Sequence, residues 1–260
     1  VTKLPLQIDT SDPVTMERAL RVYNGKAMIN SVNGKQEVME AIFPLVKKYG
    51  GVVVALTLDE GGIPETADGR VEIAKKILAT AREYGIDSID RPVLLGEIMK
   101  NDRRRIGIAG THGKSTSTGM LSQIFLSDPT LDPTIMIGAQ LPVLGDSYRV
   151  GSGGDFIFEA CEYKDAFLDF CPNIAVVLNV ELDHTDYFES LEDIIASFRQ
   201  SIEPSHAVVA NMDSENVKRA LEGYDGWIIG ISLSDENADF YPKELYFDHG
   251  MGVYTLCRKG

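Results

Sequence analysis

The chain has 260 residues, enough for two domains of ordinary size, and its 44% hydrophobic content is that of a globular protein. A net charge of −14 argues against general binding of nucleic acids or anionic membranes. The three cysteines (Cys161, Cys171 and Cys257) are few and odd in number, so we expect structural thiols and a cytoplasmic location. We expect no membrane span and no signal peptide, and because the chain starts at Val1 we interpret it as a piece of a longer protein.

The first 86 residues repeat one unit, a strand followed by a helix, three times. The predicted strands cover residues 4–8, 27–30 and 52–57, and the predicted helices cover about 13–23, 36–49 and 67–84. Each strand is apolar without alternation, and each helix is amphipathic. This pattern indicates parallel βα units with both faces of the sheet covered.

Polar residues follow each of these strands, at Asp9 to Ser11, at Asn30 and Ser31, and at Asp59 and Glu60. The carboxyl ends of strands are where βα folds bind ligands. Turn formation and helix capping are the alternative explanation of such residues. For Asp12 we prefer capping.

Three stretches carry a resemblance to the pterin-binding family: Leu-Pro-Leu-Gln-Ile-Asp-Thr-Ser-Asp-Pro, Ile-Asn-Ser-Val-Asn-Gly and Val-Ala-Leu-Thr-Leu-Asp-Glu-Gly-Gly-Ile-Pro. They look most like the methyltetrahydrofolate-binding barrels of cobalamin-dependent methionine synthases. The resemblance implies a TIM-barrel fragment of about three among eight βα units. It also implies that Asp9 and Asn30 match the positions that hydrogen-bond a pterin ring, a role that suits a carboxylate and an amide. With the far wall missing, we expect folate binding to be weak at best.

Residues 87–104 are interpreted as a linker with a short helix over 90–99, which divides a fragment at 1–86 from a domain at 105–260. The basic run Arg103 to Arg105 is predicted to be solvated, or to raise the local potential for an anion. An open fragment leaves an apolar sheet face and two unpaired edges. We expect the edge of the following sheet to cover them in one continuous parallel sheet, and a second copy of the chain, as a homodimer, is the alternative.

The apolar strand at 106–109 runs into a glycine turn from which a helix leaves at a Lys-Ser pair. Backbone N–H groups and a helix N-terminus there suit a nucleotide phosphate, and a lysine adds positive charge. The general phosphate-loop (P-loop) pattern fits imperfectly, since its first glycine would fall at Ile108. A plain Gly/Ser turn before a surface helix is the alternative. The candidate nucleotide-binding residues are Gly110, Thr111, His112, Gly113, Lys114, Ser115 and Thr116.

The following elements predict a P-loop-type parallel α/β sheet that ends in a small antiparallel β-hairpin. Helices are predicted at 117–125, 191–202 and 215–221, and strands at 134–137, 156–160, 175–178, 207–210 and 227–231. The hairpin pairs 244–247 with 253–257 around His249 and Gly250. The single tryptophan, Trp227, is predicted to lie in the core.

Two acidic motifs accompany the phosphate loop, Glu-Ala-Cys-Glu from Glu159 and Asn-Val-Glu-Leu-Asp-His-Thr-Asp from Asn179. Mg²⁺ prefers such hard oxygen ligands and keeps water and phosphate oxygens in its shell. A lone histidine such as His184 is more often structural or solvent-exposed than metal-bound.

The three motifs in this order resemble the central ATPase domain of the Mur ligases, chiefly the branch that joins L-alanine to UDP-N-acetylmuramate for peptidoglycan. The resemblance implies ATP and Mg²⁺ as cofactors and an acyl-phosphate mechanism. It implies that Lys114, Glu159 and His184 are the catalytic set. Lys114 would hold the β/γ-phosphates, Ser115 and Glu159 would bind a first Mg²⁺, and His184 would serve a second. No lysine lies between Lys164 and Lys218, so the carbamylated lysine of sister ligases looks absent.

Much of that family's machinery does not appear in the sequence. A Gly-x-Gly-x-x-Gly loop for the uridine nucleotide is missing, and the adenine-contact motif and the amino-acid domain would lie beyond Gly260. We therefore expect Mg-ATP binding with ligase activity lost. The alternatives are an engineered or fragment-joined chimera without catalytic function, and a pterin-binding methyltransferase fragment. The junction is predicted near residues 83–87, where both families allow a helix followed by Gly-Ile.

Overall fold

The structure is a computed structural model that describes residues 6–259. It divides into two compact units, Val1–Ile89 and Asp90–Gly260. The start of the first predicted strand, at Leu4 and Pro5, lies outside the described residues. Each unit is of mixed α/β type and is built on a largely parallel sheet.

The first unit contains three strands and three helices in strict alternation. They are β1 (Gln7–Asp9), α1 (Pro13–Val22), β2 (Met28–Asn33), α2 (Gln36–Tyr49), β3 (Val52–Leu56) and α3 (Ala67–Glu83). The sheet order is β1-β2-β3, and both pairs are parallel. Asp12 caps α1, as predicted, because its carboxylate accepts from the backbone N–H groups of Val14 and Thr15.

The three helices form one core with one face of this sheet. Ile29 and Val32 of β2 are fully buried in it, together with Met39 and Phe43 of α2. Side chains that alternate with the buried ones stay exposed, with 38% exposure at Met28, and similar values at Val52 and Leu56. The expectation that both faces are covered is therefore wrong here, because all three helices contribute to a single cluster on one side.

The second unit is built on a nine-stranded sheet of order β12-β11-β10-β9-β8-β4-β7-β5-β6. Strands β11 to β5 in this order are parallel, while β5–β6 and β11–β12 are antiparallel pairs. The elements are α4 (Arg91–Met99), β4 (Arg104–Ala109), α5 (Lys114–Ser127), β5 (Thr134–Leu141), β6 (Asp146–Arg149), β7 (Asp155–Glu159), a 3₁₀ segment (Tyr163–Asp169), β8 (Ile174–Val177), α6 (Leu191–Ile202), β9 (Ala207–Asn211), α7 (Glu215–Ala220), β10 (Trp227–Ile231), β11 (Phe240–Asp248) and β12 (Met251–Arg258).

Two clusters of apolar side chains cover the two faces of this sheet. The larger one joins Phe158, Phe167 and Phe198, with α6 and the 3₁₀ segment, and the smaller one joins Ile108 and Ile157 beneath α5. Strand β4, which leads into the glycine turn, is buried between them. The predicted phosphate loop is thereby anchored at the carboxyl end of a central strand.

Several sequence predictions about this unit are confirmed and others are wrong. The predicted C-terminal hairpin is present, and its turn residues His249 and Gly250 both have positive φ. Trp227 is 70% exposed rather than in the core, because it is the first residue of β10 and lies at the end of the strand. The basic run is not a solvated linker, since Arg104 makes two 2.8 Å bonds to the buried Asp155. No helix within residues 6–259 is long and apolar enough to cross a membrane.

Candidate nucleotide site

The loop between β4 and α5 exposes the N-terminus of a 14-residue helix. Gly110 and Gly113 have φ values of 151° and 83°, in the region that favours glycine. Gly113 is the N-cap residue and has no side chain that could accept from the first-turn N–H groups of α5. These donors and the positive end of the helix dipole remain available for an anion.

Lys114, the first residue of α5, is folded back onto its own loop. Its Nζ atom lies 2.7 Å from the Gly110 carbonyl oxygen and 3.2 Å from that of Thr111. It also lies 3.0 Å from Oε1 and 2.9 Å from Oε2 of Glu162. The Lys114 side chain is 15% exposed and Glu162 is fully buried, so the loop contains a nearly buried ion pair.

Glu162 is a candidate site residue that the sequence prediction did not name. The sequence prediction assigned the carboxylate role to Glu159, whose Oε1 atom accepts from the Gly138 N–H at 2.8 Å. Glu162 lies three residues later and contacts both Lys114 and His184. The second acid of the Glu-Ala-Cys-Glu motif was the available signal, but only the tertiary structure shows which acid meets the lysine.

His184 lies on the other side of Glu162. Its Nε2 atom is 3.6 Å from Glu162 Oε1, and its backbone has a positive φ of 51°. The ring packs against Tyr163 with a centroid distance of 4.8 Å. The Tyr163 hydroxyl donates to Asp186 at 2.8 Å, and this hydrogen bond raises the pKa of the tyrosine. The structure therefore brings Lys114, Glu162 and His184 together.

The backbone of His112 is held by the segment that follows β8. The side chain of Asn179 accepts from the His112 N–H at 2.8 Å and donates to the His112 carbonyl at 3.0 Å. The His112 ring is exposed and lies 3.7 Å from a carboxylate oxygen of Glu181. Ser115 is half-buried and Thr116 is exposed, both in the first turn of α5.

The oxygen donors fit a cation that takes part of its shell from phosphate and water. Across residues 6–259, no three His, Cys, Asp or Glu side chains converge into a ready-made metal site. The buried Oε2 atom of Glu162 has no hydrogen-bond partner in the described chain, although it lies in the ion pair with Lys114. This atom is a hard oxygen of the type that Mg²⁺ prefers, as are the Ser115 hydroxyl and the Glu159 carboxylate of the sequence prediction.

In the first unit, Asp9 and Asn30 occupy neighbouring positions on β1 and β2. They are paired in the strand register, and the Thr10 N–H donates to the Asn30 carbonyl at 3.3 Å. Since Ile8 and Ile29 point into the core, the next residue of each strand faces the opposite, open side. Asp9 is exposed there, and Asn30 is half-buried.

Comparison with known proteins assigns the two parts of the chain to two family models. Residues 108–259 match the Mur ligase middle domain, and residues 1–95 match the pterin binding enzymes. The UDP-N-acetylmuramate–L-alanine ligase of Acetivibrio thermocellus is 42% identical over 185 residues, which are 70% of this chain and 39% of that protein. This chain thus spans about two fifths of the relative's length. This match is longer than the second unit, so it includes residues at the end of the first unit.

Two solved structures share the fold. The UDP-N-acetylmuramate:L-alanyl-γ-D-glutamyl-meso-diaminopimelate ligase of Neisseria meningitides has a TM-score of 0.63 at 20% identity, over 89% of this chain and 76% of its own. The UDP-N-acetylmuramate–alanine ligase of Thermotoga maritima has a TM-score of 0.62 at 17% identity, over 98% of this chain and 58% of its own. Because the middle-domain model matches more than half of the residues, the chain belongs to the Mur ligase family, with a pterin-binding-type region at its N-terminal end.

Proposed function

We propose that the second unit binds ATP, as its magnesium complex, at the loop Gly110–Thr116. The observation that carries this proposal is the uncapped N-terminus of α5 beside the Lys114–Glu162 pair and His184. Phosphoryl transfer depends mainly on positioning and on neutralisation of charge, and this arrangement offers both. Further support comes from the MurF ligase of Thermotoga maritima, solved in complex with ADP, which has this fold at a TM-score of 0.54 and 14% identity.

The reaction to which this site belongs would be that of a UDP-N-acetylmuramate–L-alanine ligase in peptidoglycan precursor synthesis. The γ-phosphoryl group of ATP passes to a substrate carboxylate, and an amine then attacks the acyl carbon and releases phosphate. We propose that Lys114 leaves its loop carbonyls to contact the β/γ-phosphates. Ser115 and Glu159, together with Glu162, would bind a first Mg²⁺, and His184 would serve a second. Mg²⁺, when bound, neutralises the charge that develops on the phosphates.

We expect this chain to bind nucleotide without completing the ligation. It covers only about two fifths of the length of its ligase relative. No binding site for the sugar nucleotide or the amino acid is assigned among the described residues. At most, residual ATP hydrolysis would remain. A chimera without function would bind no nucleotide at all. We also propose that the chain is located in the cytoplasm and that its origin is engineered or fragment-joined.

The proposal is tested by calorimetric titration of the full chain with Mg-ATP. Charge-assisted bonds to phosphate contribute roughly 1.5–3 kcal/mol each, so Lys114→Ala should weaken binding about tenfold or more. Lys100→Ala is the matched control, because within residues 6–259 this exposed lysine forms an ion pair with Glu97 alone, near the end of α4. Equal affinity in the wild type and Lys114→Ala would show that the loop is not the binding site.

A second candidate function is pterin binding at the open face of the first unit. The in-register pair of Asp9 and Asn30 on that face favours it. Three strands bury little of a flat ring, however, and ligand sites normally enclose most of their ligand. We therefore propose that folate binds only weakly, and that a homodimer through the same apolar face competes with it.

A further inference from the structure

The four residues after β8, Leu178 to Glu181, form an irregular segment whose carbonyl groups are nevertheless all hydrogen-bonded. We call it the 178–181 segment. It carries the chain from the buried strand to His184. Its donors come from two places, the phosphate loop and the β9–α7 region. Asn211 Nδ2 donates to Leu178 O at 3.0 Å, Thr111 N to Asn179 O at 3.2 Å, Asn216 Nδ2 to Val180 O at 2.8 Å, and Thr111 Oγ1 to Glu181 O at 3.2 Å.

On the side of the phosphate loop, the 178–181 segment and the loop exchange hydrogen bonds in both directions. The Thr111 hydroxyl also accepts from the Glu181 N–H at 2.9 Å, and Asn179 brackets the backbone of His112. The position of the loop amides is therefore tied to the position of the 178–181 segment.

On the opposite side, two asparagine amides hold the segment from β9 and α7. Asn211 ends β9, and its Oδ1 atom accepts from the Asp213 N–H at 3.0 Å, which fixes the amide with Nδ2 toward the segment. Asn216 lies in the first turn of α7, two residues after the N-cap Ser214. Its partner carbonyl belongs to Val180, which is fully buried, so a lost donor would leave a buried acceptor without its bond.

We propose that Asn216, assisted by Asn211, is a positioning residue for the nucleotide site, although neither contacts the loop. Asn216 donates to the Val180 carbonyl, and the 178–181 segment accepts from the Thr111 and His112 amides. The same segment leads to His184, which lies beside Glu162. This inference rests on the proposed nucleotide function. It adds that α7, a short helix outside the three motifs, sets the geometry of the phosphate loop.

The test compares Asn216→Ala and Asn216→Asp with Asn101→Ala in the full chain. Asn101 is the matched control, because its Nδ2 atom also donates to a backbone carbonyl, that of Ile98, at 2.9 Å. Amide hydrogen exchange is measured without nucleotide at Thr111, His112 and Glu181. We expect about fivefold faster exchange at these amides in both Asn216 variants and no change in Asn101→Ala, since one hydrogen bond is lost.

Mg-ATP titration of the same proteins gives the second readout, with an expected loss of about fivefold in affinity for the Asn216 variants alone. Urea unfolding shows whether the variants differ in global stability. Unchanged exchange at the three amides in both Asn216 variants would overturn the inference, as would equal losses of affinity in Asn216→Ala and Asn101→Ala. A wild type that binds no nucleotide would refute the proposed function, while the exchange measurement would still decide the role of Asn216.

Discussion

Removal of Lys114 should destabilise the second unit as well as weaken nucleotide binding. Glu162 is fully buried and the lysine side chain is only 15% exposed, so Lys114→Ala leaves a buried carboxylate without its counter-charge. Breaking a buried ion pair in this way typically costs about 3–5 kcal/mol. Because the lysine keeps some contact with solvent, we expect the lower end, about 3 kcal/mol.

The double variant Lys114→Ala/Glu162→Gln separates folding from binding. It removes both charges, so most of the penalty for an unpaired buried carboxylate disappears, and we expect at least half of the lost stability to return. Nucleotide affinity should not return, because the phosphate contact of the lysine is still missing. Urea unfolding, followed by circular dichroism, measures the first quantity, and calorimetric titration measures the second.

The control is the exposed pair of Lys100 and Glu97, whose removal should leave the unfolding midpoint unchanged. Our reasoning would be refuted if Lys114→Ala shifted the midpoint no more than Lys100→Ala does. It would also be refuted if the double variant were as unstable as Lys114→Ala alone. The first result would mean that Glu162 is hydrated when the lysine is absent. The second would mean that the lost stability comes from the other contacts of the lysine, with the carbonyls of Gly110 and Thr111.

Three further predictions concern other parts of the chain. Gly96→Ala should destabilise α4 by about 1–3 kcal/mol in urea unfolding, because the added Cβ would clash with the backbone carbonyl oxygen of Asp169. Gly119→Ala in α5 meets only the flexible side chains of Leu141 and Ile137, so it should stabilise by up to about 1 kcal/mol. Hydrogen bonds from Ser152 and Arg149 lower the pKa of Asp132 to about 2. The contribution of Asp132 to stability is therefore present above about pH 4 and is lost as the pH falls toward 2. Asp132→Asn should flatten this part of the acid-unfolding curve. Folate should not bind below millimolar concentration, and a saturable micromolar isotherm that disappears in Asn30→Ala would contradict this.

The regular elements could be predicted from the sequence wherever one local pattern determined them. Helices α2 and α6 have the predicted bounds, because an amphipathic period and an end signal such as Gly50, with φ 70°, agree there. Strand β6 (Asp146–Arg149) was missed, since its residues are polar and it pairs only at the edge of the sheet. The 3₁₀ segment was missed because Lys164 and Asp165 adopt positive φ, which no sequence period encodes.

The candidate site was predictable to the extent that its residues are close in sequence. The loop from Gly110 to Thr116 follows from its own glycines and lysine. The partner of that lysine could not be predicted in this way. Glu159 and Glu162 both follow the end of a buried strand, and the sequence does not show which of them turns inward. No sequence signal identifies the asparagines that hold the 178–181 segment. Their role depends on which backbone carbonyl groups lie within hydrogen-bond distance in the folded chain.

We predict that the join between the two family regions lies at the end of helix α3, where the hydrogen bonds of the helix end close locally. Helix α3 ends at Glu83, and Gly85 follows with a φ of 66°. The Gly85 N–H donates to the Arg82 carbonyl and the Ile86 N–H to the Ala81 carbonyl, both at 2.9 Å, which is the Schellman pattern. Both of these bonds close within the stretch from Ala81 to Ile86, and Ile86 packs onto the core of the first unit.

This prediction rests on the resemblance, which implies that both families allow a helix followed by Gly and an apolar residue at this point. The pterin-type match runs to residue 95, and the match to the ligase relative reaches back into the first unit, so both include this stretch. A crossover here exchanges the segments on either side of the helix end without breaking any of its hydrogen bonds. Because the cap is satisfied locally, each unit can keep its own core, and the two-part chain requires no new structure at the junction.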